Sequence, residues 1–192
     1  MLFWILVNHS KAKNDGFSIN ELGRETGLSV GQVHKVIKQL EYNGIVISKG
    51  LRTNKKFYLK SPAKLLANWV KEYNLMKKTK TKGFSFSKTE DLDLEKLGLI
   101  PALHTAAGEI FHLKSTNLRT KEFYLLNWAK LPKVVDRLGL QELDRGYELL
   151  LVKPYYPALL QKISSLEKSD IWTKSYALLV VLDLCHFPLR GI

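Results

Sequence analysis

LSVGQVHKVIKQLEYNGIV, Leu28–Val46, is the stretch on which the fold of this chain turns. Val30, Val33, Ile37 and Leu40 recur at helical spacing and form one apolar face, while Gln32, Lys35, Lys38 and Gln39 line another. Ser29 stands where an N-cap belongs, and Asn43–Gly44 ends the segment. One amphipathic helix fits either a solvated surface or a nucleic-acid contact, so its neighbours decide.

Upstream, LFWILVNHS (Leu2–Ser10) reads as a short apolar helix and KAKNDG (Lys11–Gly16) as a polar loop. In FSINELGRETG (Phe17–Gly27), Ser18 can cap a helix, with Glu21 three positions on to close a capping box. Ile19 and Leu22 then face inward, and Gly27 stops the helix. Two short helices joined through TGLS make a helix-turn-helix. Downstream, Ile45–Ile47 and Phe57–Leu59 have strand-forming side chains. Between them SKGLRTNKK turns at Gly50 and Asn54 and carries Lys49, Arg52, Lys55 and Lys56. That is a β-hairpin with a cationic tip.

Three helices followed by a basic hairpin are the winged-helix order, and the polar face of Leu28–Val46 is expected to meet double-stranded DNA. Ser29, Gln32 and Lys35 are the candidates for the major groove, because such a helix presents its N-terminal half to the base edges. Gln pairs with adenine and Lys with guanine O6 and N7. Lys38 and Gln39 are expected on phosphate. His34 either contacts DNA or packs against the hairpin. The hairpin cations bind phosphates or reach the minor groove.

Charge supports a polyanionic partner. The 192 residues carry a net +12. Residues 1–82 hold 16 Lys and Arg against 5 Asp and Glu, a net +11, which leaves +1 for the rest. With 45% hydrophobic residues the chain can bury a core. Its single cysteine, Cys185, excludes an intramolecular disulfide and points to a reducing, cytoplasmic setting. MLFWILV is too short to span a membrane and lacks the flanks of a signal peptide, and ALLVVLDLC is also too short.

The expected organisation is α/β (or α+β), in three parts. A winged helix-turn-helix occupies 1–61, a linker helix and basic loop 62–82, and a mixed α/β domain 83–192. SPAKLLANWVKEYNL starts with a cap at Ser61 and proline at the first helical position, and KKTKTK (Lys77–Lys82) reads as a mobile linker. In the last part GFSFS, EFYLLNWA and GYELLLVKP read as strands. PALHTAAGEIFH and LPKVVDRLGL read as helices, and periodicity leaves SYALLVVLDLC open.

PAKLLANWVKEY, PALHTAAGEIF, EFYLLNW, LGLQELDRGYELLLVKPYYPALL and VLDLCHFPLRG, following the hairpin in this order, resemble the AbiEi-like family of bacterial regulators, the antitoxins of type IV toxin–antitoxin systems. The resemblance implies a DNA-binding N-terminal domain that represses its own operon. It also implies a C-terminal domain that opposes a nucleotidyltransferase-like toxin without a stable complex.

The contrary reading is a nucleic-acid-directed enzyme with a nucleotidyltransferase-like or nuclease-like C-terminal domain. Its best support is the Asp91 and Asp93 pair in EDLDLE, for which a solvated helix start is the simpler explanation. No phosphate loop, Rossmann glycine pattern or Gly-x-Ser-x-Gly occurs. His104 and His112, eight apart, lack the further ligands zinc needs. Asp183, His186 and Arg190 suggest a structural Asp–Arg pair, Cys185 a small buried residue, and Tyr155–Tyr156 a packed aromatic turn. No catalytic residue, cofactor or metal is expected.

Overall fold

The computed structural model of the protein describes residues 1–86, 97–112, 120–164 and 170–187. It divides into two compact units, 1–72 and 73–192, and mixes helix and sheet as the strand and helix patterns require.

In the first unit the order is α1 (Leu2–Val7), α2 (His9–Asn14), α3 (Ile19–Thr26), α4 (Val30–Tyr42), β1 (Val46–Lys49), β2 (Lys56–Leu59) and α5 (Pro62–Glu72). The expected loop over Lys11–Gly16 is helical as far as Asn14, so only the turn at Asp15–Gly16 remains of it. Both α3 and α4 begin with complete capping boxes. Ser18 pairs with Glu21, and Ser29 pairs with Gln32. Gly27 takes the left-handed conformation that ends α3. Val33, Ile37 and Leu40 of α4 are buried, whereas Val30 is 55% exposed and stands outside the core.

The hairpin is antiparallel, with Val46 opposite Leu59 and Lys49 opposite Lys56. A third backbone segment joins it where Phe17 and Phe57 exchange hydrogen bonds of 2.9 and 2.8 Å. Trp4, Phe17 and Phe57 form a ladder of rings with centroids 5.9 and 6.3 Å apart. Phe3 meets Trp69 of α5 edge-on at 4.7 Å. Helix α5 therefore packs within the first unit, although 62–82 was expected as a linker.

The second unit is a five-stranded sheet in the order β4-β5-β7-β3-β6, where β3 is Thr81–Phe86, β4 Leu99–Pro101, β5 Lys121–Leu125, β6 Leu140–Glu142 and β7 Leu149–Val152. Strands β5 and β7 are parallel and the other pairs antiparallel. Both faces are covered. Helix α8 (Leu131–Leu138) packs with Phe123, Leu125, Leu149 and Leu151 on one. On the other, α7 (Leu103–Phe111) and α10 (Asp170–Cys185) join through Ala106, Ala107 and Val180. Burial on both faces explains why β7 reads LLLV without alternation.

The basic run Lys77–Lys82 is structured. Lys77 and Lys78 end the short helix α6 (Leu75–Lys78), and Lys82 lies in β3, 2.7 Å from Glu142. This alters the charge map. The first unit has 12 Lys and Arg against 5 Asp and Glu, a net +7, and the second retains +5.

Candidate nucleic-acid interface

The polar side of α4 faces solvent. Gly31, Gln32, His34, Lys35, Lys38 and Gln39 are all exposed, as is Ser29 before them. Exposure follows from the helical period, since Val33, Ile37 and Leu40 hold the opposite stripe in the core. Gly31 has nothing within 4 Å of where a Cβ would stand, so the start of the helix is open to a close approach.

Gln32 has a task within the protein itself. Its Oε1 accepts from Ser29 N–H and Oγ–H, both at 3.0 Å, while its own N–H donates to Ser29 Oγ at 3.3 Å. Gln32 itself is exposed. Sequence reasoning identified Ser29 as a cap but missed this partner, although Ser-x-x-Gln is a capping-box pattern. Gln39 Nε2 donates to Asn43 Oδ1 at 3.4 Å.

The hairpin cations fall into two groups, Arg52 and Lys55 in the turn and Lys49 and Lys56 on the strands. Arg52 and Lys55 share a cleft of about 200 Å3 with His34 of α4, Phe57 of β2, and Ser18 and Asn20 at the start of α3. This brings three of the sequence candidates together beside the N-terminus of a helix, where partial positive charge collects. Lys49 and Lys56 are direct cross-strand partners on the outward side with Ile47 and Tyr58. Lys49 Nζ lies 5.2 Å from the Tyr58 ring centre, and Lys56 Nζ donates to Asp15 O at 3.1 Å. Like charges directly opposite disfavour the free hairpin, and an anion between them reverses the sign.

In the second unit the Asp183 carboxyl is tied into the fold. Asp183 is buried and accepts hydrogen bonds from Tyr73 Oη and Tyr124 Oη. Burial pushes its carboxyl up to about 6, against the downward pull of the two hydroxyls. Both tyrosines are raised, first by burial and then by the carboxylate. The expected partner Arg190 lies outside the described residues, as do Asp91 and Asp93.

His104 and His112 sit at opposite ends of α7, about 12 Å apart along a helix of that length. Glu122, buried on β5, accepts from His104 N–H at 2.6 Å and Thr105 N–H at 3.4 Å and so caps α7 from across the sheet. No sequence signal links Glu122 to that helix. Among the described residues no three His, Cys, Asp or Glu side chains gather as a metal set. Cys185, expected to be buried, is exposed. Tyr155 packs edge-on to Tyr156 at 4.7 Å, with Tyr73 6.0 Å from each. Among the described residues no helix is long and apolar enough to cross a membrane.

Residues 58–185 match a family model described as "Transcriptional regulator, AbiEi antitoxin, Type IV TA system". The match runs from the second hairpin strand through α5 to the end of α10, while α1–α4 precede it. No curated protein and no solved structure matches the chain.

Proposed function

The chain belongs to the AbiEi antitoxin family of transcriptional regulators of type IV toxin–antitoxin systems, and we propose that residues 1–72 act in it as a winged helix that binds an operator duplex. Helix α4 enters the major groove. Ser29, Gln32 and Lys35 meet base edges, and Lys38 and Gln39 meet phosphate farther along the helix. Arg52 and Lys55, with His34, hold the backbone beside that groove. Lys49 and Lys56 hold phosphate on the outer side of the hairpin, which serves as the wing.

One observation carries this reading: His34 on α4 and Arg52 and Lys55 on the hairpin line one cleft beside the exposed face of the same helix. A helix imidazole and two hairpin cations around one surface offer a phosphate backbone several donors at once, which scattered solvated lysines do not.

Occupancy of its own operator makes the protein an autorepressor working in the cytoplasm. The 73–192 unit supplies assembly, effector response or antitoxin function, the last against a nucleotidyltransferase-like toxin not held in a stable complex. Footprinting of the full-length chain on the DNA upstream of its own reading frame tests the proposal. Protection of a discrete segment is expected, lost on Lys35→Ala at moderate salt. Uniform or absent protection refutes operator recognition.

A further inference from the structure

The hairpin tip holds an apolar residue where every neighbour is polar or glycine. Leu51, in the run Lys49-Gly50-Leu51-Arg52, is 85% exposed. A leucine so placed gives up the favourable transfer of its side chain out of water. The backbone holds it there. Gly50 has φ +85, and a Cβ in its place would stand 2.5 Å from Asn54 O. Arg52 has φ +50, which residues with side chains rarely adopt. Backbone hydrogen bonds from Asn54 N–H to Leu51 O at 3.1 Å and from Lys55 N–H to Arg52 O at 3.2 Å close the turn. The tip is a closed turn that projects Leu51.

We propose that Leu51 is an apolar wedge that enters the minor groove and partly unstacks one base step, kinking the bound duplex. The inference rests on the winged-helix reading above and adds to it a deformation of the DNA. The surrounding charge selects the occupant: Lys49, Arg52, Lys55 and Lys56 require a polyanion around the leucine, and Leu51 requires an apolar interior within it. A duplex meets both demands, with phosphates flanking a groove whose floor opens onto the base stack. Sequence preference then arises at a position no polar side chain reads, because pyrimidine–purine steps kink most easily.

The probe is a duplex selected from a random-sequence pool by the full-length wild-type chain, and the readouts are affinity and the bend angle from circularly permuted fragments. Leu51→Ala is expected to weaken binding about 10-fold to 100-fold, the scale of one buried leucine side chain, and to reduce the bend. Leu51→Lys, which adds a cation at the same place, is expected to recover affinity without the bend. Wild-type bending that persists in both variants overturns the wedge and leaves the DNA reading intact. So does Leu51→Ala disrupting self-association, or binding to anionic vesicles, while the bend is unchanged. Failure of the wild-type chain to bind any duplex removes the DNA reading and the wedge with it.

Discussion

Ser29 and Gln32 close the start of α4 on each other: Ser29 gives two hydrogen bonds to Gln32 Oε1, and Gln32 N–H returns one to Ser29 Oγ. The residue proposed to read a base is therefore also the residue that caps its helix. A two-point contact to adenine uses both ends of the glutamine amide. In this geometry the oxygen is engaged with Ser29, so the proposed base contact falls to the NH2 group.

The two roles separate by substitution. Gln32→Glu keeps an oxygen acceptor for Ser29 but loses the outward donor, so the melting temperature should hold while operator affinity falls. Gln32→Ala should lose both, with a stability cost of about 0.5–1.5 kcal/mol, the net worth of a typical hydrogen bond. Paired melting curves and duplex titrations check this. Wild-type affinity in Gln32→Glu would leave Gln32 a cap alone.

The two groups of hairpin cations make different predictions. Arg52→Ala with Lys55→Ala empties the cleft beside His34 and should lower the slope of log affinity against log salt by roughly 2, about one per lost phosphate contact. Lys49→Ala with Lys56→Ala also relieves a like-charge pair across the strands. That variant should weaken DNA binding for every sequence alike. Loss of the Lys56–Asp15 hydrogen bond and the Lys49–Tyr58 contact offsets the relief in the free hairpin and leaves its melting temperature near the wild-type value.

Asp183 gives the second unit a pH dependence of definite sign. Its carboxyl ionises near 3.8 when unfolded and near 6 when buried, so the folded state holds the proton more tightly. Its stabilising contribution is present in full below about pH 4 and is lost as pH rises through about 6, roughly 3 kcal/mol in total. Asp183→Asn removes the titration. Its melting temperature relative to wild type should rise between pH 4.5 and pH 7.5, and a constant difference across that range would contradict the assignment.

Glu122 is a second buried acidic side chain that the fold uses. Glu122→Ala strips the start of α7 of its acceptor for His104 and Thr105 and should cost about 2–3 kcal/mol. Denaturant melts of the variant should register the loss while duplex affinity stays at the wild-type value, because the two lie in different units.

What the sequence made legible was local. The Ser18–Glu21 box, the stop at Gly27 and the turn at Gly50 each lie within a few residues, and α3 and the hairpin turn follow from them. What stayed hidden depends on distant pairing. Phe17 and Phe57 are 40 positions apart, and no pattern around Phe17 announces a strand. Strands β4 and β6 have three residues each, too short for alternation to register. Helix α10 is apolar on nearly every side because it packs on both α7 and α9 (Pro157–Ser164), which left its type ambiguous. Lys77–Lys82 looked like a linker because charge dominates the run, yet Thr79 Oγ1 donates to Lys153 O, and Lys153 N–H donates to Lys80 O at 2.9 Å.

The most direct measurement of the central claim is a titration of the full-length chain against its selected duplex from 50 to 300 mM salt, repeated with Lys35→Ala. Wild-type affinity should fall steeply and linearly on a log–log plot. The variant should run below it by about 1–3 kcal/mol, with discrimination relaxed at one base pair. A flat salt response, or a Lys35→Ala line lying on the wild-type line, would contradict the claim that this face of α4 is built for DNA.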